Sequence, residues 1–342
     1  MRLGHNPPKD KPQLTDYLRH RVIIPVYIPT VDGYYKDALE ILKLCLESLY
    51  LTGAGKVSIT VISNNSASSV VRELERFYQL GWIDQLLLNQ KNRGKVDAVS
   101  SAARGAYEEL ITISDCDVLF KSGWLEAIET IFHDFPECGF AAPMPNPGEA
   151  WVHTSATILG ALKNRELAFD KVVPDADLNG FAHSLGWYED QEKYLAEHRH
   201  AQMIIRRRET TACVGCGHFV FTVRGKVVQG IPKHPSLSAI SGYSEEKWLD
   251  TPPDRLGFWR LATTRAYVHH MGNTFESWMY EELENTRRNR DSADPRQLHA
   301  LPEIQKSWVT KLPWRFRKGL IWAIKKPTFC RMLIPTASLK TL

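Results

Sequence analysis

The chain has 342 residues, enough for one large domain with an appendage or for two domains. Hydrophobic residues at 43% and charged residues at 24% are ordinary for a globular protein, and a net charge of +4 is too small to argue for nucleic acid as a partner. Six cysteines are scattered along the chain, Met1–Lys11 is polar and Pro-rich without the apolar run of a signal peptide, and no stretch of about 18 apolar residues exists; a reducing cytoplasmic setting with free thiols is expected, and a membrane-spanning helix is excluded.

Residues 1–20 are expected to form a flexible arm. Arg21–Ile28 is a near-continuous apolar run suited to a strand buried on both faces, with Pro25 better placed at a strand end than in the middle of a ladder. Residues 36–51 place Leu39, Leu42, Leu46 and Leu49 at helical spacing, and Gly53 and Gly55 stop that helix. A second strand, Val57–Ile62, runs into the polar cluster Ser63-Asn64-Asn65-Ser66. A helix over 67–80, a strand over 83–88, a helix over 95–110 and a strand over 111–114 follow. Strand and helix alternating in this way predict an α/β fold with parallel strands and helices on both faces. Ligands in such folds sit outside the carboxyl ends of the strands, so Pro25–Tyr27, Ser63–Ser66, Asn89–Lys95 and Asp115–Asp117 should share one edge.

The last of these is Asp115-Cys116-Asp117 at the end of an apolar strand. Buried carboxylates are costly unless paired or bound to a metal. Two of them at one strand end suit a divalent cation, and a solvated Asx turn is the plainer alternative. Beyond them a helix is expected over 122–134, a strand over 138–144, a Pro-rich loop over 143–155 and less regular structure to residue 200. Arg206-Arg207-Arg208 is better explained as a solvated strand edge than as a phosphate clamp. A strand is expected through 211–224, a helix starting near Ser244, a strand over 265–270 and a polar helix over 276–290. Leu312–Leu333 mixes aromatic and basic residues, and no acid occurs from Gln305 onward. Such a segment can lie on an anionic membrane surface or pack on the domain with its lysines solvated. Cys213-x-x-Cys216 with His218 has a zinc-like beginning, but no second Cys/His pair at metal spacing follows.

The succession of a strand ending at Pro25, Ser63–Ser66, Asn92-Arg93-Gly94-Lys95 before a small-residue helix, Asp115-x-Asp117, Gly242-Tyr243-Ser244-Glu245-Glu246 and His270 resembles the inverting glycosyltransferases with the A-type nucleotide-sugar fold, the family 2-like enzymes that build bacterial polysaccharides. The resemblance covers roughly residues 20–275 and is carried by the order of the motifs, no one of which is specific. It implies a catalytic domain over 21–275 built on a central, mostly parallel sheet, and a helical, basic amphipathic extension over 276–342. It also implies a nucleoside-diphosphate sugar as donor and a glycan or lipid-linked glycan as acceptor. Localisation is expected in the cytoplasm, with residues 312–333 suited to contact at the inner membrane face.

Residue by residue, the resemblance gives Asp117 to a Mn2+ or Mg2+ ion and Asp115 to the ribose, near enough to share the metal. His270 is the matching late-strand ligand; a histidine suits Mn2+ better than Mg2+, and His269 should point away because neighbours on a strand alternate. Pro25, Tyr27, Asn64, Asn92, Arg93 and Lys95 are the expected nucleotide contacts. The family's acid after the second strand is missing, and Asn64 stands where it would accept from the base. Inversion needs one base for the acceptor hydroxyl. Glu246 holds that place, with Glu245 as an alternative and Asp250 or Asp254 if the register slips, although acids at a helix start are also explained by the helix dipole. Gly215 and Gly217 would let backbone approach the donor sugar or the acceptor. Two rivals stay open. A nucleotidyltransferase would open with a Gly-rich basic loop, which Pro29-Thr30-Val31-Asp32-Gly33 is not, and a non-catalytic sugar-nucleotide-binding protein would not need Asp117, Glu246 and His270 together.

Overall fold

The computed structural model describes residues 18–325 apart from 54, 185, 187–190, 240–242 and 290–299. The arm expected over residues 1–20 lies almost wholly outside the described residues, as do Gly242 and the tail beyond Lys325.

The N-terminal half follows the expected alternation. β1 (His20–Val26), α1 (Ala38–Gly53), β2 (Ser58–Asn64), α2 (Ser68–Gln79), β3 (Gln85–Asn89), α3 (Lys95–Gly105) and β4 (Leu110–Ser114) succeed one another. Their strands pair in the order β3-β2-β1-β4, all parallel. β1 is central and nearly all buried, as its apolar run requires. Pro25 faces Ile62 of β2, while the β4 ladder ends two residues earlier at Ile23, so its missing N–H falls beyond that ladder. α1 buries Ile41, Leu42, Leu44, Cys45, Leu46 and Leu49 against the sheet. Each such side chain contributes about 1.5–3 kcal/mol of gross transfer free energy.

After β4 come β5 (Val118–Phe120), α4 (Trp124–Asp134), β6 (Cys138–Ala142), a 3₁₀ turn (Pro147–Trp151), α5 (Ser155–Asn164), β7 (Leu167–Asp170), α6 (Asp175–Ser184) and α7 (Gln191–His198). The stretch expected to be irregular therefore holds three helices and a strand. Its apolar positions are too few and too broken by polar residues for periodicity to show them. β8 (Gln202–Arg207), β9 (Thr210–Val214), β10 (Val220–Arg224) and the short α8 (Gly225–Val228) follow. The single strand expected over 211–224 is two strands: β10 lies between β4 and β6, and β9 between β11 (Trp259–Ala262) and β8. Gly215, at φ +101°, starts the crossing between them. The ten-stranded sheet runs β3-β2-β1-β4-β10-β6-β11-β9-β8-β7 and is mixed: the parallel N-terminal part is extended by β10, which runs antiparallel to both β4 and β6. Two apolar clusters cover it, one around β1, β2 and β4 with α1–α3, the other around β6, β11 and α4–α5.

The basic run is not a solvated edge throughout. Arg206 pairs with Asp170 at the surface, whereas Arg207 is half-buried between Glu137 and Glu166, at 2.8 and 2.7 Å, with its guanidinium over Phe135 and Trp259. Arg208, at φ +53°, makes the hairpin turn.

A π-helical turn, Glu246–Asp250, leads into α9 (Thr251–Leu256). Pro252 and Pro253 carry no N–H, so the carbonyls of Trp248 and Leu249 lack their α-helical donors and the turn widens. β12 (Val268–His270) pairs antiparallel with β5 in a separate two-stranded sheet. α10 (Ser277–Arg288) lies along α1, with Tyr280 bonded to Glu40 and Arg287 to Glu47. α11 (Trp314–Ile324) packs on α5, and its Arg317 donates to the carbonyls of Asp254 and Arg255. No described helix is long and apolar enough to cross a membrane.

Candidate active site

Asp115-Cys116-Asp117 occupies the turn between β4 and β5. Two backbone bonds fix it: the Asp115 N–H donates to Phe219 O at 2.7 Å, and the Met271 N–H donates to Asp117 O at 2.7 Å. The second follows from the β5–β12 register, which sets His270 opposite Val118. His270 Nε2 thereby lies 3.4 Å from Asp117 Oδ2. Its Nδ1 is 3.3 Å from Ser184 Oγ, which leaves Nε2 for Asp117 or for a ligand. His269 packs edge-on against Trp278, and burial pushes its imidazole down to about 4.

Asp117 Oδ1 is buried and has no hydrogen-bond partner. Burial raises the Asp117 carboxyl to about 6, with neighbouring Asp115 adding to the rise and His270 opposing it. A buried carboxylate oxygen without a donor is costly until a cation or a donor joins it. A divalent cation fits: such ions often take one or two protein ligands and complete their shell with phosphate oxygens and water. Among the described residues no group of three or more His, Cys, Asp and Glu is arranged to hold a metal. The pair borders a cleft of about 920 Å3 whose other walls include Tyr34, Asn179, His183 and Trp278.

Asp115 turns away from that pair. Lys95 Nζ lies 2.6 Å from Asp115 Oδ1 and 2.6 Å from Glu245 Oε1. Burial disfavours the ammonium, but the two carboxylates outweigh it and hold Lys95 above its ordinary range. Lys95 thus ties the Asp-x-Asp turn, the N-terminus of α3 and the acidic helix start together. The chain of charges continues. His218 Nε2 is 3.8 Å from Glu245 Oε2, its Nδ1 is 3.4 Å from Asp250 Oδ2, and Arg260 Nη2 is 2.8 Å from Asp250 Oδ1. The bond to Asp250 raises His218. Burial would raise Asp250, yet Arg260 and His218 hold it below the usual carboxylate range. Arg260 is wholly buried and also donates to Cys216 O at 2.6 Å.

The acids considered for the base therefore differ. Asp254 is buried and bonded to Ser155, Ala156 and Trp314; Asp250, with 8% of its side chain exposed, is clamped by Arg260; Glu245, at 17%, is held by Lys95; Glu246, at 44%, pairs with His153, 3.1 Å away. Burial also lifts the half-buried Glu149, beside this group on the 3₁₀ turn.

On the expected nucleotide side the side chains divide. Asn64 is buried, and its amide is committed: Nδ2 donates to Asn92 Oδ1 at 2.8 Å, while Oδ1 accepts from Asn89 Nδ2 and the Arg93 N–H. Asn92 Oδ1 also accepts from the Gly94 N–H. These amides shape the loop before α3. Pro25 is buried in the ladder and presents no side chain to the edge. Tyr27, edge-on to Tyr35, and the Arg93 guanidinium are exposed. Gly94 is required: at φ +78°, a Cβ there would meet Ser238 O at 2.0 Å. Gly215 serves the protein itself, since a Cβ would meet the Glu149 carbonyl carbon at 2.7 Å. The Cys213 and Cys216 thiols are buried and pushed up, Cys213 to about 12, so they stay protonated while His218 turns to Asp250.

A sequence-family model described as Glycosyl transferase family 2 matches residues 22–209, over half of the chain. The chain belongs to glycosyl transferase family 2. No curated protein matches its sequence. Among solved structures this family-2 glycosyltransferase is similar to mannosyltransferase PcManGT from Pyrobaculum calidifontis in complex with GDP-Man and Mn2+, at 12% identity over 90% of this chain and 74% of that one, TM-score 0.42. It is also similar to GalNAc-T7 with UDP, GalNAc and Mn2+, at 14% identity over 92% of this chain and 57% of that one, TM-score 0.47. A third similar structure is S. aureus TarS 1–349 with UDP, at 12% identity over 84% and 68%, TM-score 0.41. The glycosyltransferase thus spans little more than half of the GalNAc-T7 chain.

Glu149, on the 3₁₀ turn, and His153, on the loop after it, carry no spacing motif that marks them in the sequence. Arg260 had a signal, a lone cation inside the apolar run Phe258–Ala262.

Proposed function

We propose that this family-2 glycosyltransferase transfers a sugar, with inversion, from a nucleoside-diphosphate sugar to a hydroxyl of a glycan or lipid-linked glycan. One observation carries the reading: Lys95 bridges Asp115 to Glu245, so the Asp-x-Asp turn and the acidic helix start meet at one ammonium. Departure of a nucleoside diphosphate builds charge, which Mn2+ or Mg2+ supplies the Lewis acidity to offset. Asp117 and His270 would hold that ion. Arg93 and Lys95 suit the diphosphate as charged donors, with Lys95 exchanging a carboxylate for a phosphate oxygen. Asp115, once released, suits the ribose hydroxyls. A panel of nucleotide sugars, each with and without Mn2+, tests the reading by thermal shift. One donor should raise the melting temperature more with Mn2+ than without it, since binding to the folded state stabilises by mass action. A panel in which every donor behaves alike, with or without the ion, would remove the donor site.

The outer side of α11 supports a peripheral membrane contact. Arg315, Lys318, Trp322 and Lys325 are exposed along one stripe, while Arg317 and Ile321 face the domain. Each cation near an anionic surface is worth about 1 kcal/mol. Lys318→Glu with Lys325→Glu should therefore weaken sedimentation with phosphatidylserine vesicles by about 30-fold or more. Equal binding of variant and parent would leave α11 as packing alone.

A further inference from the structure

His153 lies on the loop joining the 3₁₀ turn to α5, far in sequence from the acidic helix start. Its Nε2 is 3.1 Å from Glu246 Oε1, and its Nδ1 is 3.4 Å from Thr251 Oγ1 at the start of α9. The two contacts select a tautomer: the Thr251 hydroxyl can donate to Nδ1, which leaves the proton on Nε2 to donate to the carboxylate. The side chain is 12% exposed, and the backbone stands at φ +51°, a left-handed conformation that costs a non-glycine residue free energy. The surroundings keep it there. Thr154 Oγ1 donates to Ala150 O, Ser155 Oγ and the Ala156 N–H donate to Asp254, and Trp314 Nε1 donates to Asp254 Oδ2. The loop is thus bolted to α9, the helix that continues directly from Glu246.

We propose that His153 is a positioning residue: it holds one oxygen of Glu246 and fixes the carboxylate so that Oε2 faces the acceptor hydroxyl. This rests on the reading of Glu246 as the base. Without the imidazole Glu246 is a half-exposed side chain with free rotamers, and fixing such a side chain costs conformational entropy. His153 remains neutral. Burial and the Arg260 charge lower it, against the opposing pull of Asp250, Glu246 and Asp254. A neutral donor orients the carboxylate without the full charge that would weaken it as a base.

The test uses the full chain and the donor that the thermal-shift panel selects. His153→Gly removes the imidazole while adopting φ +51° without strain, and His153→Gln keeps an N–H donor at a similar reach. Donor turnover is followed across pH with saturating Mn2+. The glycine variant should lose about 10-fold in kcat with an unchanged KM for the donor. The acid limb of its kcat profile should move to higher pH, because a hydrogen bond to the ionised carboxylate is gone. The glutamine variant should recover most of both. Equal loss in the two variants with the limb unmoved would make His153 a structural residue only. Glu246→Gln is the control for the underlying reading. If it stays active, Glu246 is not the base; if it is inactive while His153→Gly matches the parent in rate and profile, the positioning role alone falls.

Discussion

Asp117→Ala is expected to lower donor turnover by about 10²- to 10³-fold, the scale of losing a preorganised electrostatic contact to developing charge. It should also abolish the extra thermal shift that Mn2+ gives in the presence of donor. The same substitution should leave the melting temperature of the free protein unchanged or slightly raised. Asp117 Oδ1 is buried without a partner, so removing it relieves a desolvation cost and breaks no hydrogen bond at that atom. Loss of function at no cost in stability is the mark of a group kept for chemistry. A structural acid would behave in the opposite way, with stability falling and activity following it. Metal-dependent turnover that survives Asp117→Ala would remove this residue from the site.

Glu246→Gln should cost about 10²- to 10⁴-fold in transfer, the range of a single general base, while donor binding by thermal shift stays intact. The isosteric amide keeps the contact to His153 but cannot take a proton. The expected split between binding and turnover separates Glu246 from Glu245. Glu245→Gln would loosen the Lys95 bridge and act on donor binding as well. Transfer within about 3-fold of the parent in Glu246→Gln, with Glu245→Gln inactive, would shift the role one residue toward the N-terminus.

The parallel N-terminal half was legible in the sequence because its signals are local. β1 and β4 are continuous apolar runs, α1 and α2 show helical spacing, and the polar clusters between them fall at strand ends. The Asp-x-Asp turn was legible for the same reason, as two carboxylates directly after a buried strand. The C-terminal half was less so. β9 and β10 are contiguous in sequence but are separated in the sheet by β6 and β11, and no local pattern encodes which strands become neighbours. α6 and α7 have mixed polar faces because each buries only a few side chains.

For the site, the sequence by itself determined which residue types were at hand: a carboxylate pair, a late-strand histidine, a lysine opening α3 and an acid pair at a helix start. The tertiary structure decided what each one touches. The β5–β12 register carried His270 to Asp117, and the crossing from β9 to β10 carried His218 between Glu245 and Asp250. The fold also spent Asn64 and Asp250 on internal bonds, the first in shaping a loop and the second in neutralising buried Arg260. The reason is physical. A side chain's chemistry belongs to the residue, but whether a carboxylate is free, paired or orphaned depends on which charges and donors the packed chain brings within about 3–4 Å of it.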